Sequence, residues 1–348
     1  MIERSRQWRL LGPGRIELAE VPVPAPRDGE VLVRVLAATT CGTDLKVFRR
    51  GGHPRMLEPP CPFGHELCGE IVAVGPGQDR LPVGQRVVVA NSAPCGRCRE
   101  CRRERQNLCS RLAYLNGAFA DHVLVPARFA EASTHPVGAG LEPAEAALAE
   151  PLACAIHCLE VLEPTLDRWL GAGAEPPRAV VLGAGPLGLL LTGLLARRGV
   201  VATCADPHPG RLELAKAFGA AEMVAVTDRS APLDAAVHFD LAVDATGSPA
   251  GWQACLGRLD VGGVGVFFGG TASGFSLGVD AQTLHYEELS LLGVYHHRPS
   301  NVTGALELLT AGALPHRLLI SAELPLERLE EALGRMADRS ALKVALVP

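Results

Sequence analysis

No run of residues near the start of this sequence has the makings of a secretory leader. MIERSRQWRLLGPGRIELAE carries neither an apolar core of the needed length nor a small-residue cleavage site, so a cytoplasmic protein is expected. A strong charge imbalance is missing too. Thirty-eight acidic and 33 basic residues leave a net charge of −5 and a pI near 6.1, with both signs mixed along the chain. That gives no electrostatic footing for nucleic acid or an anionic membrane, and it points to a small molecule as substrate. Lysine is nearly absent, with only Lys46, Lys216 and Lys343. This bias suggests a GC-rich genome and says nothing about mechanism. There is no internal repeat and no low-complexity segment. One run, AVVLGAGPLGLLLTGLLA at 179–196, approaches the apolarity of a membrane span, but its four glycines and proline, followed by Arg197 and Arg198, make it a buried strand and helix.

What is present fits a two-domain globular chain. Its 348 residues are about twice the common domain size, and an apolar share of 48% fills two interiors. The first third is β-rich: EVLVRVLAATT, EIVAVG and QRVVVA alternate in period two between Gly and Pro turns, which predicts a barrel-like domain. From about residue 153 strands and helices alternate, the pattern of a parallel sheet covered on both faces. The expected division is 1–152, completed by 296–348, and 153–295. The tail reads as a helix at 301–312, a linker, and a last strand in ALKVALVP that returns to the first domain.

VVLGAGPLG sets Gly183, Gly185 and Gly188 directly after an apolar strand, with Pro186 and Leu187 opening a helix. The first glycine allows the tight turn, the second lets backbone approach a pyrophosphate, and the third lets helix and strand pack closely; the helix N-terminus attracts the anion. Asp206 follows Gly188 by 18 residues and ends the next strand. A carboxylate there bonds the ribose hydroxyls and repels a 2′-phosphate, which favours NAD. Arg211 keeps NADP open as the alternative.

Among the eleven cysteines, Cys95, Cys98, Cys101 and Cys109 stand at intervals of three, three and eight in a basic loop. Eleven thiols in a cytosolic chain argue for metal ligation or buried thiols over disulfides, and four so close match a closed tetrahedral zinc site. Arg97, Arg99, Arg102 and Arg103 offset its negative charge. The spacing departs from that of ferredoxin clusters, and no helix with base-reading side chains follows. With no open ligand position, this zinc holds a loop and does no chemistry.

Four more candidates are scattered: Cys41 in TTCGTD, His65 and Glu66 in PFGHE, and Glu150 in LAEPLACAIH. Singly they read as a buried thiol, a turn histidine, and solvated or capping carboxylates. Together with the ordered motifs CGTD, GHELCGEIVAVG, the four-cysteine lobe, NGAFADHVLVP, AEPLACAIH, GAGPLG, VDATG with Thr246, and KVALVP, they make the whole chain similar to the zinc-dependent medium-chain dehydrogenase/reductase family, and within it to the sorbitol, threonine and related polyol or alcohol dehydrogenases. The resemblance implies a GroES-like β-rich catalytic domain and a Rossmann cofactor domain, two zinc ions per chain, and NAD. It makes Cys41 and His65 permanent ligands of a catalytic zinc at a cleft, Glu66 a ligand or immediate neighbour, and Glu150 a ligand where classical alcohol dehydrogenases have their second cysteine, with Glu66 and Glu150 expected to exchange with water or substrate. His65 and Glu66 can share an ion only if the turn before Leu67 breaks strand alternation, as Pro62 and Gly64 allow.

The expected reaction is hydride transfer between a secondary alcohol or polyol and NAD, the zinc lowering the pKa of the alcohol oxygen. Thr43 matches the family's hydroxyl relay. Where many members carry histidine this chain has Lys46, a poor base at the ordinary lysine pKa of about 10.4; it either ends the relay with a depressed pKa or pairs with a cofactor or substrate anion. Phe48, Phe119, Tyr295, His296, His297 and Arg298 are expected to face or flank the cleft, with surface or interface positions as the alternative for several of them. Carbonyl reduction on the same site, a catalytically inactive nucleotide-binding or regulatory relative, and a zinc-scaffolded nucleic-acid binder are the competing readings. A homotetramer is favoured over a homodimer.

Overall fold

A computed structural model of the chain describes residues 3–171, 175–226 and 237–348. It divides into two compact units, Met1–Ala153 with His297–Pro348, and Cys154–His296.

The first unit is built on a seven-stranded sheet in the order Thr134–Pro136, Arg86–Val89, Leu67–Val74, Val31–Thr39, Lys343–Val347 and Ile320–Pro325, with His122–Val125 also pairing with Val31–Thr39. A three-stranded sheet of Arg15–Pro22, Arg4–Gly12 and Cys61–Pro62 accompanies it. The β-branched and leucine residues of Val31–Thr39 explain its central place, since both of its faces are largely buried. The last strand lies antiparallel to it, Ala345 opposite Thr39 and Leu346 opposite Ala38. Thr40 clips the two chain ends together: its N–H donates to the Val344 carbonyl at 3.0 Å and its hydroxyl accepts from the Val344 N–H at 2.9 Å. The expected linker in the tail is in fact structured. It holds the strand Ile320–Pro325 and the helix Leu329–Ala337, whose Leu329, Ala332 and Leu333 enter the core at helical spacing.

Phe119, expected to face or flank the cleft, lies in this core. It is fully buried, its ring 5.5 Å from that of Phe63 at 83°. The same ring explains Gly64, where φ is +88° and a Cβ would come within 2.7 Å of Phe119.

The second unit is a six-stranded parallel sheet in the order Glu222–Ala225, Val201–Asp206, Arg178–Leu182, Phe239–Asp244, Leu259–Phe267, Ser290–Gly293. Numbered within the unit this is 3-2-1-4-5-6, the doubly wound order. The apolar run at 179–196 becomes the strand Arg178–Leu182 and the helix Pro186–Arg197. Among the described residues no helix is long and apolar enough to cross a membrane.

Candidate active site

The metal-capable centre of the first unit begins at the end of the strand Val31–Thr39. The chain leaves that strand, and Cys41 caps the helix Gly42–Arg50, its sulfur accepting the Thr43 N–H at 3.4 Å. Asp44, three residues on, closes the capping box: its Oδ2 accepts the Cys41 N–H at 2.8 Å. Its other oxygen, Oδ1, lies 2.9 Å from His65 Nδ1, and Asp44 is 2% exposed. One carboxylate therefore fixes both the backbone of Cys41 and the ring of His65, which leaves Nε2 as the nitrogen that can face a metal beside the Cys41 thiol. Sequence reading quotes CGTD but passes over Asp44; a carboxylate at the third position after a capping residue was the available signal.

His65 and Glu66 precede the strand Leu67–Val74, so strand alternation does not separate them. The left-handed turn at Gly64 aims both inward. One ligand atom from each of Cys41, His65 and Glu66 lies within 4.8 Å of the others. Glu66 is fully buried, and its Oε2 accepts from Lys343 Nζ and from the Thr39 hydroxyl. Lys343, 1% exposed, also donates to the Thr40 carbonyl at 2.7 Å. Burial opposes the charge on Lys343, but Glu66 and Cys41 hold its pKa above the ordinary lysine value. The second oxygen, Glu66 Oε1, is buried and has no hydrogen-bond partner among the described residues. A buried carboxylate oxygen left this way is costly, and a cation held with Cys41 and His65 satisfies it. Thiolate, imidazole and carboxylate are the donor set that zinc takes, so the residues fit the metal.

Burial works against a charge on His65, yet Asp44 and then Cys41 raise its pKa well above the usual value. A metal entering this site thus displaces protons. Glu150 stands in the first turn of the helix Ala149–Gly171. Burial pushes its pKa up to about 7, the nearby charge on His65 opposing and that of Glu66 adding. Its carboxylate is not part of the Cys41–His65–Glu66 convergence; its Oε1 lies 3.7 Å from His297 Nε2. Thr43 is half-buried and Lys46 is exposed on the same helix.

The four-cysteine lobe is closed around its own centre. The sulfurs of Cys95, Cys98, Cys101 and Cys109 all lie within 4.8 Å of one another. Cys98 is 3.5 Å from Cys101 and 3.8 Å from Cys109, close to the roughly 3.8 Å edge of a tetrahedron with zinc–sulfur bonds of about 2.3 Å. Backbone N–H groups of Cys101 and Ser110 bring the Cys98 thiol down to about 5, the Arg97 N–H brings Cys95 to about 7, and burial pushes Cys101 up to about 12.

In the second unit the glycine turn, Asp206 and Thr246 sit at the carboxyl ends of adjacent strands, at the point where strand order reverses. Gly183 has φ +103°, and a Cβ there would touch Thr246 at 3.0 Å. A Cβ on Gly188 would lie 1.9 Å from the Gly183 carbonyl, while one on Gly185 would meet nothing within 4 Å. The open space is over the N-terminus of the 12-residue helix Pro186–Arg197, whose N-cap Gly185 offers no side-chain acceptor. An anionic pyrophosphate fits that arrangement. Asp206 is held by the Ala184 N–H and the His208 N–H, each at 2.9 Å, one on each oxygen; the remaining lone pairs can take ribose hydroxyls. Asp244, fully buried, ties down the Thr246 N–H and hydroxyl and the Gly247 N–H. Arg211 is half-buried on the helix that follows Asp206.

A β-rich unit with a thiolate–imidazole–carboxylate centre, joined in one chain to a doubly wound dinucleotide-type sheet, defines a metal-dependent oxidoreductase. Comparison with known proteins gives the family. Residues 27–134 match the family described as Alcohol dehydrogenase GroES-like domain, and residues 186–311 match Zinc-binding dehydrogenase. The chain is 36% identical over 341 residues to D-altritol 5-dehydrogenase of Agrobacterium fabrum, covering 95% of this chain and 96% of the relative. It is 28% identical to sorbitol dehydrogenase of Bacillus subtilis, over 96% of this chain and 94% of that one. A zinc-binding dehydrogenase of Sinorhizobium meliloti 1021, solved with NADP bound, superposes with a TM-score of 0.87 at 25% identity, and the match covers 100% of both chains. The chain belongs to the zinc-dependent medium-chain dehydrogenase/reductase family, whose cofactors are zinc and a nicotinamide dinucleotide and whose substrates are small-molecule alcohols.

Proposed function

We propose that this chain is an NAD-linked, zinc-dependent dehydrogenase of polyols or secondary alcohols, with Cys41, His65 and Glu66 as its catalytic metal centre and Glu150 as a neighbouring carboxylate. The convergence of three ligand atoms within 4.8 Å, with Glu66 Oε1 buried and unsatisfied, carries this reading. The similarity to D-altritol 5-dehydrogenase and sorbitol dehydrogenase supports a polyol as substrate. The second zinc belongs to Cys95, Cys98, Cys101 and Cys109, giving two per chain.

Bound at the centre, zinc supplies Lewis acidity toward an alcohol or carbonyl oxygen, and the nicotinamide supplies the two-electron redox partner. Asp44 holds Cys41 and His65 in place. Lys343 and Thr39 restrain one oxygen of Glu66, so only the other can reach the metal. Thr43 takes the substrate's hydroxyl proton and passes it outward. Lys46, exposed beyond it, receives that proton only in its neutral amine form, and as an ammonium it pairs with a cofactor or substrate anion. The backbone at Gly183, Gly185, Pro186, Leu187 and Gly188 receives the pyrophosphate, and Asp206 the adenosine ribose, with Thr246 lining the turn.

Asp206 supports NAD, since a 2′-phosphate would meet its carboxylate; the NADP of the S. meliloti protein and the position of Arg211 make NADP the alternative. Steady-state kinetics with both nucleotides on a panel of polyols, secondary alcohols and hydroxy-amino acids decides. The parent should prefer NAD, and Asp206→Ala should narrow that preference. A parent that prefers NADP overturns the assignment.

We also infer a homo-oligomer, a tetramer before a dimer. The strand Ser290–Gly293 is the edge of its sheet, the helix Ala281–Tyr286 buries no residue, and Tyr286 and Val261 are 77% and 71% exposed, which supports a partner surface. The eleven thiols, all free of disulfides, suit the reducing cytoplasm.

A further inference from the structure

We propose that His297 is a positioning residue that holds the Glu150 carboxylate off the Cys41–His65–Glu66 centre, leaving one metal position open for substrate. This rests on the metal centre proposed above and adds a role for a side chain at the start of the tail segment.

The geometry carries it. His297 is 2% exposed and Glu150 6% exposed, so neither exchanges freely with solvent. His297 Nε2 faces two oxygens, Asn91 Oδ1 at 3.3 Å and Glu150 Oε1 at 3.7 Å. The first is a hydrogen bond; the second is electrostatic contact just beyond one. A nitrogen between two acceptors carries its proton, so the ring presents an N–H toward both. Asn91, 2% exposed, is anchored in turn: its carbonyl accepts the Leu115 N–H at 2.9 Å.

The chain is also anchored directly after His297. The Arg298 N–H donates to Asn301 Oδ1 at 2.8 Å, closing the start of the helix Pro299–Thr310, and Arg298 Nη1 donates to the Glu104 carbonyl at 3.1 Å. The backbone that carries the imidazole is therefore held in place. Glu150, on the first turn of a 23-residue helix, brings its Oε1 to 3.7 Å from the ring.

Charge explains why this contact matters. Cys41 and Glu66 already offer a thiolate and a carboxylate to the metal. Glu66 is partly neutralised by Lys343. A second carboxylate ligand would cancel the remaining positive charge and weaken the metal as a Lewis acid. An N–H beside Glu150 gives that carboxylate an electrostatic partner other than the metal.

Cobalt-substituted protein tests this, because ligand-field bands report coordination number and metal competition reports affinity. The difference spectrum between the parent and Cys41→Ser isolates this centre from the four-cysteine lobe; absence of any difference would refute the metal centre itself. Given that difference, His297→Leu should release Glu150 to the metal, shift the bands toward higher coordination and tighten metal binding about tenfold, the lower end of the range for residues behind metal ligands. His297→Gln, which retains an N–H donor, should stay close to the parent, and the shift should vanish in His297→Leu/Glu150→Gln. Glu150→Gln alone should leave the resting cobalt spectrum unchanged. The proposal is overturned if folded His297→Leu shows the parent's spectrum and affinity. It is overturned equally if Glu150→Gln alone changes the resting spectrum, a test that stands even where His297→Leu does not fold.

Discussion

Lys343 is a charged side chain in an apolar strand, buried to 1% exposure against Glu66 and 277 residues from it in sequence. Lys343→Met would leave Glu66 as an uncompensated buried charge. The expected cost is about 3–5 kcal/mol of stability, read by urea unfolding, and Lys343→Met/Glu66→Gln should recover much of it; additive losses in the double variant would contradict the pairing. His135 gives a pH signature of its own. Burial, and then the charge of Arg80, lowers its pKa to about 4. As pH falls, the unfolded chain takes up that proton first, near the ordinary value of about 6.5. Stability attributable to His135 is therefore intact above about pH 6.5 and is lost as pH drops toward 4, by about 2 kcal/mol at pH 5. His135→Leu should flatten the difference in urea midpoint between pH 7 and pH 5; an unchanged difference would reject the assignment. At this scale the candidate ligands were legible because each belongs to a motif. Lys343 was visible only as a buried charge in need of a partner, and nothing local in KVALVP points to Glu66.

At the scale of elements, the glycine turn shows why spacing alone predicts well. Each glycine answers to a neighbour a few residues away. Gly188→Ala forces a Cβ to within 1.9 Å of the Gly183 carbonyl and must shift the helix Pro186–Arg197; both melting temperature and NADH affinity should fall. Gly185→Ala meets no protein atom within 4 Å. Its melting temperature should match the parent, while NADH affinity measured by fluorescence drops at least about tenfold because the methyl fills the space over the helix N-terminus. Loss of stability without loss of affinity would reverse the two roles. The four-cysteine lobe was equally legible, since its ligands lie within 15 residues of chain from Cys95 to Cys109. Cys98→Ser should lower the melting temperature and release one zinc per chain; unchanged zinc content would remove the lobe from the account. The tail was harder to read, because Ile320–Pro325 and Leu329–Ala337 are short elements whose apolar faces make sense only against a core built from the first third of the chain.

For the whole molecule, the doubly wound sheet was readable because its strands and helices alternate along the sequence. The first unit was readable only in outline: its sheet joins Val31–Thr39 to Lys343–Val347 across nearly the full chain, and no periodicity announces that pairing. The same long-range closure assembles the candidate centre, since Cys41, His65 and Glu66 come from the beginning, Glu150 from the middle, and Lys343 and His297 from the end. The centre's chemistry was thus legible as a list of candidate ligands, and their supporting contacts were not. The most direct test of the account is the rate of NAD reduction by polyols on the parent and on Cys41→Ser, with zinc quantified in both preparations. The parent should turn over, and Cys41→Ser should be a folded protein with one zinc fewer per chain and a rate at background. A Cys41→Ser protein with near-parental turnover and unchanged zinc would contradict it.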